Sequence, residues 1–340
     1  MTHRKETHYV ALSKTHFLVL VFSIVLLTAN LAGGKTQQQQ DTCKTQKGLS
    51  CKTQKGLSCK TLRIMARVYM AYGEYKKAQP LAEQALTLAK QRCESDSELA
   101  MCLIDLATLY NNQNRLTDAE KMCELGLKLQ KKALYKGHPY VAYTLRTLGA
   151  IYREQGRFNK AGFALDEAMA IMHESHTEND KALIPFWVDI AALFVAQGNL
   201  EQAESYYSKA RASINSSYGP DHLYTAIVLS SVAKLYIMQG RYDEAEELID
   251  RSVATQERIY GPDHHLIAGS WLTKARVCQL KGDDVRSKIL IQKALDAVRK
   301  SGNMTIFTKL EQRAKEIRAG KQNLPGPVAK VIDNKINTPR

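Results

Sequence analysis

Residues 229–252 read LSSVAKLYIMQGRYDEAEELIDRS. Leu229, Val232 and Tyr236 recur at the three- and four-residue spacing of one helical face, and Gly240 follows the aromatic residue by four positions. Because glycine readily adopts a positive φ, it predicts the end of that helix. The segment after the glycine again carries apolar and small residues at helical spacing. The stretch therefore predicts two helices joined by a tight turn.

This pattern occurs six times, at spacings of 41, 42, 42, 42 and 42 residues. Its aromatic position is occupied by Tyr69, Tyr110, Tyr152, Phe194, Tyr236 and Cys278. Its turn position is occupied by Gly73, Asn114, Gly156, Gly198, Gly240 and Gly282. Its two small positions are occupied by Ala78, Ala119, Ala161, Ala203, Ala245 and Ser287, and by Ala85, Gly126, Ala168, Ala210, Ser252 and Ala294. Helix pairs that recur at a fixed period stack into a solenoid, because each pair needs a neighbour to cover its apolar face.

The segments that connect the repeats indicate which kind of helical repeat the sequence contains. They are GHPYVA at 137–142, YGPDHLYTA at 218–226 and YGPDHHLIA at 260–268. With the repeat pattern, they make residues 59–300 similar to tetratricopeptide repeats of the kinesin-light-chain type. The resemblance implies an all-α, right-handed superhelical solenoid of about six helix pairs, with a capping helix over 301–319. It also implies binding of a protein or peptide on the concave surface.

Two places depart from the repeat. In the sixth repeat Lys274 stands at an apolar position, Cys278 at the aromatic position and Ser287 at a small position. Such a polar last repeat is expected where a solenoid ends in water. The junction at 175–184 lacks the Gly-Pro-Asp-His phrase, and the angle between the third and fourth repeats stays open.

The chain has 340 residues and a formal net charge of +14, carried mostly by its ends. Residues 1–61 contribute +7 and residues 301–340 contribute +5, whereas residues 62–300 contribute +2. Binding to nucleic acid needs a basic face that neutralises phosphates. The nearly neutral repeats therefore argue against a nucleic-acid partner.

The N-terminal residues 1–34 predict a signal peptide. Arg4, Lys5 and Lys14 precede the apolar run Phe17–Leu27, and small residues follow it. A spanning helix needs about 20 apolar residues, so we expect cleavage and export to a periplasmic, extracellular or secretory compartment. Retention of the run as a short membrane anchor is one alternative, and a cytosolic chain is another. A membrane partner is expected only if the run is retained.

Low-complexity segments flank the repeats. Residues 35–58 contain CKTQKGLS twice in succession and predict a basic, flexible linker, or alternatively a means of placing thiols for cross-linking. Residues 320–340 contain three prolines and predict a basic, disordered tail.

Histidine and cysteine carry little sign of chemistry. His138, His222 and His264 share one position of the repeat, and Asp180 occupies the equivalent position at the irregular junction. We expect these residues to start helices and not to bind a metal, because successive repeats are too far apart to share one ion.

The cysteines give three expectations. Cys123 and Cys278 are expected to be buried thiols, a Cys93–Cys102 disulfide is left open, and Cys43, Cys51 and Cys59 are expected to be linker thiols.

The repeat register predicts which residues of each first helix face the groove. The polar members are Arg63, Arg67, Asn111, Asn112, Arg146, Arg153, Lys234 and Arg276, with Glu154 as the acidic member. The apolar members are Ile104, Val188, Val195, Ile237, Met238 and Leu272. Arginine binds carboxylates in bidentate fashion and asparagine can bond a peptide backbone. The hypothesis is a scaffold that binds an extended, acidic peptide or protein segment.

No catalytic or phosphate-binding motif appears in the sequence. We therefore expect neither enzymatic activity nor a cofactor. The alternatives are an adaptor tethered to a membrane or envelope by its basic ends, and, less favoured, an enzyme with a site at the irregular 175–186 junction.

Overall fold

The computed structural model describes residues 57–320, apart from residues 93, 136, 175, 178, 179 and 303 and the side chain of residue 305. Within these residues the structure is built from α-helices and short 3₁₀ helices, without strands. In chain order the α-helices are α1 (Cys59–Ala71), α2 (Tyr75–Gln91), α3 (Asp96–Asn112), α4 (Leu116–Ala133), α5 (Pro139–Glu154), α6 (Phe158–His173), α7 (Ile184–Gln197), α8 (Leu200–Ser217), α9 (Leu223–Gln239), α10 (Tyr242–Tyr260), α11 (Ala268–Leu280), α12 (Asp284–Ser301) and α13 (Met304–Arg318). The 3₁₀ helices are Lys181–Leu183, before α7, and His265–Ile267, before α11.

Helices α1 to α12 form six consecutive pairs, and α13 packs against α11 and α12. The small residues of the repeat are buried where paired helices approach each other. At Gly126 in α4 a side chain would be crowded, because an added Cβ would lie 3.1 Å from Ile104 Cγ1 and 3.3 Å from the Ala100 carbonyl oxygen. The predicted solenoid of six helix pairs is confirmed.

A recurring arginine links neighbouring repeats at their turns. Arg241 follows the turn glycine, and its guanidinium carbon lies 3.7 Å from the centroid of the Tyr236 ring. The same guanidinium donates from Nη1 to Glu204 Oε1, in the preceding repeat, at 2.8 Å. Arg157 and Glu120 make the equivalent hydrogen bond two repeats earlier, at 2.6 Å. In the third and fifth repeats, the Gly-Arg pair thus fixes the aromatic residue against the preceding repeat.

The first helix of each pair lies on the concave side of the stack. At most junctions the first helices of successive repeats contact each other, whereas each second helix packs between the first helix of its own repeat and the first helix of the next. The first helices therefore lie closer together than the second helices, and this difference curves the stack toward the first helices. Helices α1, α3, α5, α7, α9 and α11 therefore form the concave wall.

The first and sixth repeats are in contact, although the residues that form the hydrogen bond between them lie 193 positions apart in the sequence. His265 Nε2 donates to the carbonyl oxygen of Tyr72 at 2.8 Å, and the Tyr72 and His264 rings meet edge to face. Gly73 has φ of +69°, and an added Cβ would lie 3.0 Å from His265 Nε2. This contact joins the two ends of the curved stack, and the space inside the concave wall is called the channel below.

The sixth repeat does not face water in the way its polar residues suggest. Trp271 and Val277 are buried, because α13 and the contact with the first repeat cover this end of the stack. Lys274 replaces an apolar residue at little cost, since its stem is largely covered while Nζ reaches Asp250 Oδ1 at 2.8 Å. The outer helix α12 does face water, since Val285 and Ile289 are 71% and 62% exposed.

Several sequence predictions fall outside the described residues. These are the signal peptide, most of the linker and of the tail, and the residue Cys93. Among the helices that the structure does describe, none has the length and apolar character needed to cross a membrane.

Candidate functional site

The concave wall carries most of the predicted groove residues. Arg67, Asn112 and Lys234 are exposed, and four others are partly exposed: Asn111, Arg146, Arg153 and Arg276. Arg63 is an exception, because it is only 7% exposed and bonds with residues of α3. Leu272 is fully buried in the core as well. The predictions of Arg63 and Leu272 as groove residues are wrong.

Arg63 forms a buried ion pair between the first two repeats. Its Nε donates to Asp105 Oδ2 at 2.8 Å and its Nη1 donates to Glu98 Oε2 at 3.2 Å. Burial raises the pKa of the Asp105 carboxyl, and the charge of Arg63 opposes that rise. The guanidinium therefore serves packing between α1 and α3 and is not available to a ligand.

Arg146 and Arg153 share one carboxylate from the next repeat. The Asp189 oxygens lie 3.6 Å from Arg146 Nη1 and 3.7 Å from Arg153 Nη1, and Arg153 also pairs with Glu154 at 3.1 Å. Burial raises the pKa of the Asp189 carboxyl, although both guanidinium groups lower it. This middle part of the wall is therefore close to neutral.

The Arg63–Asp105 and Arg146–Asp189 ion pairs use equivalent positions of the repeat, and their spacing is visible in the sequence. Asp105 follows Arg63 by 42 residues and Asp189 follows Arg146 by 43. Both carboxylates occupy the position five residues before the aromatic residue of their repeat, directly beside the predicted groove position. The groove positions of the repeat register do not include this position, so the predicted wall contains too few acidic residues.

Cations without an acid partner gather at the other end of the channel. Lys234 on α9 lies within the electrostatic influence of Arg313 and Lys309 on the capping helix α13. Arg313 Nη2 donates to Thr273 Oγ1 of α11 at 3.1 Å, which fixes the guanidinium at the concave wall. None of these three cations forms an ion pair with a carboxylate in the described part of the chain, although the charge of Glu316 acts on Arg313. The sequence prediction found Lys234 but missed Lys309 and Arg313, because α13 lies outside the repeat register.

The protein around Lys234 lowers the pKa of its ammonium group. Its side chain is exposed to the channel, yet protein on the facing helices displaces much of its water. Burial of this kind, together with the charges of Arg313 and Lys309, lowers the pKa of Lys234 to about 8. A bound anion would relieve that repulsion.

Apolar surface and polar atoms without partners lie along the same wall. The half-buried apolar residues are Ile104, Val188, Val195, Ile237 and Met238. Asn111 Oδ1 and Arg146 Nε are buried and have no hydrogen-bond partner among the described residues. Unpaired polar atoms are costly in a low-dielectric site. Both atoms are covered by protein, so the contacts that this part of the wall offers to a ligand are apolar.

The histidines of the inter-repeat phrases start helices, as predicted. His138 Nδ1 accepts from the Tyr140 amide at 3.1 Å, and His222 Nδ1 accepts from the Tyr224 amide at 3.2 Å. Asp180 takes the same role at the irregular junction, where its Oδ1 accepts from the Ala182 amide at 2.8 Å. The 3₁₀ turn that follows it resembles the start of the sixth repeat.

The thiols are placed differently from the expectation in one respect. Cys123 and Cys278 are buried, which confirms their prediction. The prediction of Cys59 as a linker thiol is wrong. Cys59 is the first residue of α1, and its buried sulfur contacts that of Cys102.

A cavity of about 460 Å³ lies away from the concave wall, between the ends of α4, α5 and α6. Lys131 and Glu167 at its rim form an ion pair of 2.9 Å. Glu174 also lines the cavity, so its lining carries one more acid than base. An acidic ligand is therefore disfavoured there, and the channel is the better candidate site.

Comparison with known proteins agrees with this architecture. The family described as the MalT-like TPR region matches residues 28–220, and a tetratricopeptide-repeat family matches residues 184–257 and 229–300. No curated protein matches the chain.

Among solved structures, NprR in complex with its cognate peptide NprX superposes with a TM-score of 0.60 at 15% identity, covering 98% of this chain and 91% of that one. A Rap protein complexed with competence and sporulation factor gives 0.57 at 13% identity, covering 93% and 88%. BtubC (BKLC) from P. vanneervenii gives 0.50 at 19% identity, covering 68% and 91%. At these identities the likeness concerns the fold. With more than half of its residues matched by the MalT-like TPR region, the chain belongs to the tetratricopeptide-repeat family.

Proposed function

We propose that this protein is a non-enzymatic interaction module whose channel binds an extended, acidic segment of a peptide or protein. The observation that carries the proposal is the uneven charge of the concave wall. The arginines near its middle are neutralised by Asp189 and Glu154, whereas Lys234, Lys309 and Arg313 form no ion pair with a described carboxylate and only Arg313 is influenced by a nearby acid, Glu316. An acidic ligand supplies the charge that the protein itself lacks there.

Three further features support a peptide as the occupant. The channel wall combines apolar side chains with the exposed Asn112, whose amide can bond a peptide backbone. A channel lined by six repeats favours a narrow, extended ligand over a folded domain. NprR, which shares the fold, was solved with a peptide bound.

An unbiased selection tests this proposal. Random peptides displayed on phage are selected against the purified full chain at low salt, and the enriched sequences are determined. We expect an excess of Asp and Glu, interspersed with apolar residues, and affinity that falls as salt is raised, because exposed charges are screened. Enrichment of peptides without acidic excess would contradict the proposal.

We also propose that the protein acts after export, as the N-terminal flank, apolar run and small residues suggest. N-terminal sequencing of the natively expressed protein is expected to find a mature chain that starts near Gly33 or Lys35. An intact segment from Met1 to Leu31 on a soluble cytosolic species would contradict export.

A further inference from the structure

We propose that Cys59 and Cys102 are an oxidation site, at which a disulfide joins the first repeat covalently to the second. Their Sγ atoms lie 3.2 Å apart in the structure, and both residues are buried, at 5% and 1% exposure. A disulfide bond is about 2.05 Å long. A movement of about 1 Å between two side chains therefore suffices to form it.

The two helices that carry these thiols are held in register by a second contact. Cys59 and Arg63 lie one turn apart on α1, and Cys102 and Asp105 lie one turn apart on α3. Arg63 donates to Asp105 at 2.8 Å in a buried ion pair. Since this pair fixes the helices against each other, the sulfur atoms are kept in contact in the reduced protein.

The surroundings make Cys59 the attacking thiol. The hydrogen bond from the Cys102 thiol lowers the pKa of Cys59; burial opposes that effect and the charge of Arg63 adds to it. The same hydrogen bond, followed by burial, raises the pKa of Cys102. Cys59 is also the first residue of a helix, where the peptide dipoles stabilise a thiolate.

The reaction balances with a disulfide as the oxidant, such as oxidised glutathione or an oxidoreductase disulfide. The Cys59 thiolate attacks one sulfur of the oxidant and displaces its other sulfur as a thiolate. Cys102 then loses its proton and attacks the Cys59 sulfur of the mixed disulfide, which displaces the second oxidant sulfur. Two protein thiols are oxidised and one external disulfide is reduced to two thiols.

The bond would stabilise the first repeat, which is a terminal unit held on its other side by the Tyr72–His265 contact. The first repeat has one sequence neighbour in the stack, and such end units open first in solenoids. The cross-link closes a loop between residues 43 positions apart. Constraining a loop of this size is expected to raise the Tm by about 5–10 °C. Cys123 and Cys278 have no sulfur in contact among the four described cysteines, so they provide internal controls.

Disulfide mapping of the full chain tests the assignment. Reduced protein is equilibrated with oxidised and reduced glutathione, alkylated without reduction, digested and analysed by mass spectrometry. A second sample has Cys43, Cys51 and Cys93 replaced by serine, which removes competing partners. We expect a Cys59–Cys102 linkage in both samples, with Cys123 and Cys278 alkylated. Alkylation of Cys59 and Cys102 under oxidising conditions, or pairing of either with Cys43, Cys51 or Cys93, overturns the proposal.

Thermal unfolding provides a second readout. Oxidation is expected to raise the Tm of the wild type and of the matched control Cys278→Ser, but not of Cys59→Ser. Equal gains in Cys59→Ser and the control would show that another bond is responsible.

Discussion

The Lys234 side chain is exposed to solvent, yet the surrounding protein makes its charged form less favourable than in water. Burial among the facing helices and the charges of Arg313 and Lys309 lower the pKa of its ammonium group to about 8. A lowered pKa means that the free protein loses this positive charge as the pH rises through about 8. A bound carboxylate favours the charged form, so ligand binding and protonation of Lys234 support each other.

This coupling predicts that affinity for an acidic peptide falls about tenfold between pH 7 and pH 9, because the free protein then has to take up a proton on binding. Lys234→Arg keeps its charge over this range and is expected to give a flatter profile. Isothermal titration calorimetry at several pH values measures both. Identical pH profiles for the two proteins would show that Lys234 is not in the binding site.

Helix packing depends on small residues at the places where paired helices cross. Ala203 in α8 is fully buried, whereas Ala212 in the same helix is exposed. The two alanines share their amino-acid type and their helix but differ in surroundings. They therefore separate the effect of packing from that of helix propensity.

Ala203→Trp is expected to lower the free energy of unfolding by at least about 3 kcal/mol, because an indole cannot fit between closely packed helices. Ala212→Trp is expected to change it by about 0.5 kcal/mol or less. Urea denaturation followed by circular dichroism compares the two. Similar losses for both variants would contradict the assigned register.

The same elements show what the sequence reveals and what it does not. The 42-residue period predicts the helices, because burial of small residues and positive φ at turns are local requirements. It does not predict the charge of the wall, since Asp105 and Asp189 lie one position from the groove register and reach across to the preceding repeat. Nor does it predict the Tyr72–His265 contact, because that contact depends on curvature accumulated over six repeats.

For the molecule as a whole, the contact between the first and sixth repeats turns a curved stack into a channel. Gly73 lies at this contact and has φ of +69°, while Gly240 has φ of +79° and open space around its Cβ position. Alanine at either position has to adopt an unfavourable backbone conformation, at about 1 kcal/mol. Only at Gly73 does the added methyl group also press against the sixth repeat.

Gly73→Ala is therefore expected to loosen the closure, whereas Gly240→Ala is expected to leave it intact. Hydrogen–deuterium exchange should show faster exchange in α1 and in His265–Ile267 for the first variant only. Small-angle X-ray scattering should show a larger radius of gyration for the same variant. Equal exchange in both variants would contradict closure through this turn.

The central claim, that the channel binds acidic segments through its unneutralised cations, is tested most directly by reversing two of them. The measurement is the Kd of an acidic peptide, taken from the selection above, for the double variant Lys234→Glu with Arg313→Glu. The matched control is Lys209→Glu with Arg251→Glu, because these exposed residues lie on the second helices α8 and α10 and form no ion pair with a described residue. We expect the channel variant to weaken binding by at least about thirtyfold, with unchanged helicity, and the control to weaken it by less than about threefold. Equal affinity of the channel variant and the wild type would contradict the claim.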